Sequence, residues 1–170
     1  VSDLVGVWRL LARIIEAAQD IRDGCGLEPV CRASVVPAGL VAWDACERTS
    51  DGRDGQLWAA VQTLIPANPT GGAAGCWRGI WQAELGVVRC VSTVDDQGRP
   101  PPAAWLAEDA WTQARDADAL ARLVLCCQDR WDPQQQTSGV ELVGWDPLGP
   151  DGGCVGGRWI IRGEYDECCA

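Results

Sequence analysis

The side chains here that can do chemistry are cysteines and carboxylates. The 170-residue chain holds ten Cys and 24 Asp plus Glu, with no His and, all 14 basic residues being Arg, no Lys. Without imidazole there is no Ser-His-Asp triad, no Cys-His dyad and no imidazole metal ligand. Without an ammonium there is no Walker A loop, no Schiff base and no Ser-Lys hydrolase. The cysteines stand at 25, 31, 46, 76, 90, 126, 127, 154, 168 and 169. None forms a CxxC pair, so a zinc site is poorly served. The adjacent pairs Cys126-Cys127 and Cys168-Cys169 would be strained as internal bridges. Cys31 with Cys46 is the candidate disulfide, closing a short loop around Pro37. Buried thiols acting as small apolar groups are the alternative.

The carboxylates cluster at Asp95-Asp96, Glu108-Asp109 and Asp116/Asp118. None sits in a calcium-loop pattern, and the helical ones read as a solvated polar face. Gly152-Gly153 and Gly156-Gly157 precede a strand rather than a helix, which argues against dinucleotide binding. The expectation is therefore no catalytic, cofactor-binding or metal-binding residues, no cofactor and no enzyme.

Tryptophan is the other anomaly, with ten copies. Trp77, Trp81, Trp145 and Trp159 fall on inward faces of predicted strands. Trp43, Trp58, Trp105, Trp111 and Trp131 exceed what one small core can hide, and are assigned to interfaces with neighbours.

Hydrophobic residues make up 47% of the chain and charged residues 22%, which suits one folded domain over 1–165 with a short tail at 166–170. The net charge of -10 argues against neutralising nucleic-acid phosphates. Phe and Met are absent, while Tyr and Asn occur once each. These residues have AT-rich codons, so the composition points to a GC-rich genome. Charges at Asp3, Arg9, Arg13, Glu16 and Asp20 interrupt any signal-peptide core. The uncharged stretch from Gly55 to Trp77 contains Pro66 and Pro69, which excludes a membrane helix. A protein made in the cytosol and staying soluble is expected.

These residues must be placed by a few elements. Leu4, Val7, Trp8, Leu11, Ile14, Ile15, Ala18 and Ile21 recur at helical spacing up to Gly24 and Gly26. Cys31 to Val36 is a short strand stopped by Pro37, and 47–55 is an exposed polar loop. Gln56 to Ile65 reads as a strand with Leu57, Ala59, Val61 and Ile65 on one face. Trp77 to Val91 alternates, with Trp81, Ala83, Leu85 and Val87 opposite Arg78, Gln82 and Glu84. A helix follows from about Ala103 to Asp129. Val140 to Trp145 and Arg158 to Tyr165 are strands, joined by a turn-rich connector from Asp146 to Gly157. The class is α+β, an antiparallel β-sheet with helices packed on one face, in the order α-β-β-β-α-β-β.

Three segments resemble one family. They are the N-terminal Ser-Asp-Leu-Val-Gly-Val-Trp-Arg-Leu-Leu helix, the strand from Trp77 to Cys90, and the run from Trp145 to Trp159 with its Asp-Pro-Leu-Gly-Pro-Asp-Gly-Gly-Cys-Val-Gly-Gly core. Together with the element order they look like head-to-tail connector proteins of siphophages that infect high-GC actinobacteria, of the tail-terminator type. The resemblance runs from about residue 2 to 165. It implies a non-enzymatic virion protein, assembled in the host cytoplasm and located at the head–tail junction. It implies a homo-oligomeric six-fold ring that caps the tail tube protein and joins tail to neck. Genome DNA would pass through the lumen without specific binding, which an acidic wall favours. A stopper or adaptor of the same neck is the alternative within that class, or else a partner of this ring. Outside it stand a soluble enzyme or ligand module using the clustered carboxylates, and a secreted disulfide-stabilised binding protein. No membrane partner is implied.

Overall fold

A computed structural model describes residues 3–20, 24–37, 54–66, 76–151 and 153–168. The elements are α1 (Asp3–Ala18), β1 (Arg32–Val35), β2 (Gln56–Pro66), β3 (Cys76–Cys90), α2 (Ala103–Cys126), α3 (Gln128–Trp131), β4 (Thr137–Asp151) and β5 (Cys154–Cys168). The five strands form one sheet in the order β1-β2-β3-β5-β4. The α+β class and the order of its main elements follow the sequence reading, with α3 as an added single turn. The sheet itself is mixed. β2, β3, β5 and β4 are antiparallel neighbours, but β1 lies parallel to β2, with Arg32 opposite Gln56.

Alternation decides the faces. Leu57, Ala59, Trp81, Ala83, Leu85, Val87, Ile161 and Tyr165 point to one side of the sheet and meet Val7, Leu10, Leu11, Ile14, Leu120, Leu123 and Trp131 from the helices in one core. α1 ends earlier than its apolar periodicity suggests, at Ala18, and its stripe is rotated slightly. Leu10 is buried, while Trp8 stands at the surface.

β2 departs from simple alternation. Val61 pairs with Ala83 but Thr63 pairs with Gln82, so the register slips by one at Gln62. A bulge of this kind flips every later side chain to the other face. Leu64 therefore packs on the core and Ile65 is exposed, the reverse of the alternation read from sequence.

The segment from Asp146 to Gly157, read as a connector, is mostly strand. β4 and β5 pair through Asp146–Arg158, Pro147–Gly157 and Leu148–Gly156 and turn only after Asp151, with Gly153 at φ +79°. The Gly-rich run is extended because its glycines admit large neighbours. The Trp145 ring lies where a Cβ on Gly157 would sit.

A disulfide joins Cys25 to Cys127, with Cα atoms 6.3 Å apart, and ties the segment after α1 to the end of α2. Cys154 is also disulfide-bonded. Cys31 carries a thiol instead, so the Cys31–Cys46 pairing is corrected; Cys46 lies outside the described residues. The bridge that does form is set by three-dimensional proximity of residues 102 apart, which spacing cannot reveal. Among the described residues, no helix is long and apolar enough to cross a membrane.

Candidate functional site

Three features stand out from the ordinary core: a buried arginine beside an open cleft, a buried carboxylate on the opposite face of the sheet, and an uncovered helix half.

Arg89 lies near the end of β3 and points toward α2. Its Nε donates to Asp116 Oδ2 at 2.8 Å and its Nη2 to Asp116 Oδ1 at 3.1 Å, a two-pronged ion pair. The remaining N–H groups donate to the carbonyls of Glu28, Pro29 and Asp54 at 2.9–3.1 Å. Arg89 and Asp116 are each only 5% exposed. Burial pushes the Asp116 carboxyl above its ordinary value, and Arg89 opposes that push only in part. Burial works against the Arg89 charge too, but there Asp116, Asp54 and Glu28 outweigh it and raise the pKa. Asp116 is thus no part of a solvated helix face, a correction to the sequence reading. Helical spacing places it in line with Ala119, Leu120 and Leu123, and its charge is tolerated there because Arg89 meets it.

Beside this pair opens a cleft of about 400 Å³ lined by Glu28, Asp54, Arg89, Cys90, Asp109 and Arg115, among others. Its carboxylates are engaged. Asp109 accepts from the Ser92 N–H at 2.9 Å, and Arg115 sits 3.6 Å from Glu28 and 3.7 Å from Glu108. No group of three or more metal-ligating side chains occurs among the described residues. Asp95 closes the preceding loop instead, accepting from the backbone N–H groups of Gln97 and Arg99, both at 2.9 Å, and from Arg99 Nε at 2.7 Å. The Arg99 backbone and side-chain hydrogen bonds lower its pKa.

On the opposite face Glu84 is 2% exposed. It accepts from Trp58 Nε1 at 3.1 Å, Gln62 Nε2 at 2.7 Å and Arg158 Nη1 at 2.7 Å. Arg158 reaches on to Asp146 at 2.9 Å. Gln56, Trp58, Ala60 and Val88 on this face are also buried, so the side of the sheet away from the helices is covered here rather than solvated. Alternation predicted which way Glu84 points, but not that it would be enclosed.

The tryptophans assigned to interfaces divide sharply. Trp58 is fully buried, its ring seated over Gly86, and Trp131 is fully buried with Nε1 donating to the Leu123 carbonyl at 3.0 Å. Both interface assignments are corrected: a glycine opposite one ring and a backbone acceptor for the other allow a small domain to enclose them. Trp43 lies outside the described residues. Trp105 and Trp111 are 60% and 69% exposed. Of the strand tryptophans, Trp81 is buried, while Trp145 and Trp159 pack together at the core margin with ring centroids 5.4 Å apart. The side chain of Trp77 lies outside the described residues.

The buried residues of α2 run from Asp116 to Val124, all in its second half. Trp105 and Leu106 precede Leu123 and Val124 by eighteen residues, about five turns of 3.6 residues. They therefore lie on the helix's inward stripe, yet Leu106 is 49% exposed as well. The apolar stripe of α2 continues past the core into a part of the helix that the described residues leave uncovered.

No protein-family model matches the sequence, and no curated protein matches it.

Proposed function

We propose that this chain is a structural ring subunit of the phage head–tail junction, of the tail-terminator type, whose neighbours cover the first half of α2. The observation that carries the reading is the inward stripe of α2 left bare at Trp105 and Leu106, with Trp111 exposed beside it. Exposed aromatic residues on a rigid helix are the anchors that protein interfaces use, and a monomer gains nothing from them. The engaged carboxylates around Arg89 support a structural rather than a catalytic role for the cleft. The net charge of -10 suits a lumen along which DNA slides.

Light scattering coupled to size exclusion tests the ring. Wild type should form a discrete oligomer, and W105S/W111S should shift it toward monomer with its melting temperature unchanged within about 2 °C. Labelling the chain in intact particles should place it at the neck. A wild-type monomer at high concentration in the presence of tail tubes, or label elsewhere on the particle, would refute the reading.

A secreted, disulfide-stabilised binding protein is a second reading, favoured by the Cys25–Cys127 bridge and the cystine at Cys154. Thiol counting on protein taken directly from a reducing cytosol separates the two. Folded, assembling protein with Cys25 and Cys127 reduced would sink the secreted reading.

A further inference from the structure

Two exposed indoles and a carboxylate share one surface at the start of α2. Trp105 and Trp111 leave most of their rings uncovered. Glu108 follows the first and precedes the second by one turn, so it stands between them on the helix. From 105 to 111 the helix rises about 9 Å. The Glu108 side chain is 74% exposed, and Arg115 Nη2 stands 3.7 Å from it, beyond hydrogen-bond reach.

The segment that enters α2 carries the matching chemistry. In Arg99-Pro100-Pro101-Pro102 the first three residues each precede a proline, which holds their backbone extended. Pro102, the N-cap, has φ -56° and ψ 142°. The run is a short polyproline II rod, about 9 Å from Arg99 to Pro102 at 3.1 Å per residue. Pro100 and Pro102 are exposed, and the Arg99 side chain is 71% exposed. Arg99 gives its Nε to Asp95 at 2.7 Å; among the described residues, no acceptor meets its Nη groups. Such rods dock on exposed aromatic rings, and a guanidinium is held by a carboxylate with an indole beside it. The two halves do not meet within one chain. α2 runs away from Pro102 and carries Trp111 about 14 Å along its axis.

We propose that Arg99-Pro100-Pro101-Pro102 of one copy docks on Trp105, Glu108 and Trp111 of a second copy, with the prolines against the indoles and Arg99 paired to Glu108. The proposal rests on the reading that neighbouring subunits cover this half of α2, and it names the segment that covers it. The two patches differ, so the contact can pass from each subunit to the next and close a ring.

The test is charge exchange between subunits, read by light scattering coupled to size exclusion at high protein concentration, with tail tubes present. R99E and E108R each set like charges against each other in the contact, and each should dissociate about tenfold more readily than wild type. An equimolar mixture of the two should assemble to the wild-type size, because an alternating assembly pairs opposite charges at every contact. A contact within one chain, or a loop disturbed by R99E, gives no such rescue. P100A/P101A, which loosens the rod, should weaken assembly by about threefold or more. Both charged side chains are exposed, so melting temperatures should stay within about 2 °C of wild type. A mixture no better assembled than its components, or R99E, E108R or P100A/P101A assembled as tightly as wild type, would overturn the docking. If W105S/W111S still dissociates the oligomer in that case, the ring reading stands without it. A rescued assembly of only two subunits keeps the contact and removes the ring. Wild type that stays monomeric overturns both.

Discussion

Replacing Arg89 with methionine removes five N–H donors from a position only 5% exposed at the edge of the cleft. Asp116 is left 5% exposed with no cation against it, and three backbone carbonyls lose their donor. Breaking one side of a buried ion pair costs about 3–5 kcal/mol, most of it the penalty on the charge left behind. For a chain of this size that is a fall in melting temperature of about 6–20 °C. Tryptophan fluorescence during urea unfolding reads the same quantity as a shifted midpoint. R89M/D116L removes the stranded charge and should be more stable than R89M by about 1–3 kcal/mol. The pH dependence checks the cause. Burial already raises the Asp116 pKa in the native protein, and without Arg89 it rises further. A carboxyl whose folded pKa is raised contributes stability that is present below its unfolded value and lost as pH rises through the folded one. The deficit of R89M relative to wild type should therefore narrow as the pH is lowered through the raised Asp116 pKa toward 4. R89M within about 1 kcal/mol of wild type at pH 7, or a double variant no better than R89M, would refute this account of the centre.

Other expectations follow from single contacts. Removing the Cys25–Cys127 bridge as C25A/C127A should cost about 3–5 kcal/mol, because the bridge closes a loop of 102 residues in the unfolded chain; a melting curve with and without reductant checks it. Gly86→Ala places a methyl group in the Trp58 ring and should cost about 1–3 kcal/mol, with a shifted Trp58 fluorescence or NMR indole signal. Asp132, 1% exposed, accepts from the Gln136 N–H at 2.9 Å and the Thr137 N–H and hydroxyl at 2.8 and 2.6 Å. Asp132→Ala should lower stability by about 2 kcal/mol in urea unfolding and speed hydrogen exchange at the start of β4.

Residue order alone determined the elements and their faces wherever the periodicity was uninterrupted. The α1 helix, the span of β2, and the inward set Trp81, Ala83, Leu85 and Val87 with Gln82 and Glu84 on the other face were legible because side-chain direction in a helix or strand is a local property. The exposed Trp105 and Trp111 were legible as a surplus of aromatic surface. What depends on contacts distant in sequence was not. The bulge at Gln62 arises in pairing with β3 and exchanges Leu64 for Ile65 on the core face. The parallel placement of β1, the Cys25–Cys127 bridge and the Arg89–Asp116 pair each join segments that only the closed sheet and its helices bring together. Asp116 looked like solvent-facing charge because local pattern carries no record of a cation 27 residues away. Trp58 and Trp131 looked too large to hide because a glycine on the neighbouring strand or a carbonyl eight residues back becomes a partner only on folding. Local pattern therefore set what each segment is, and tertiary packing decided which of its charges, thiols and rings meet.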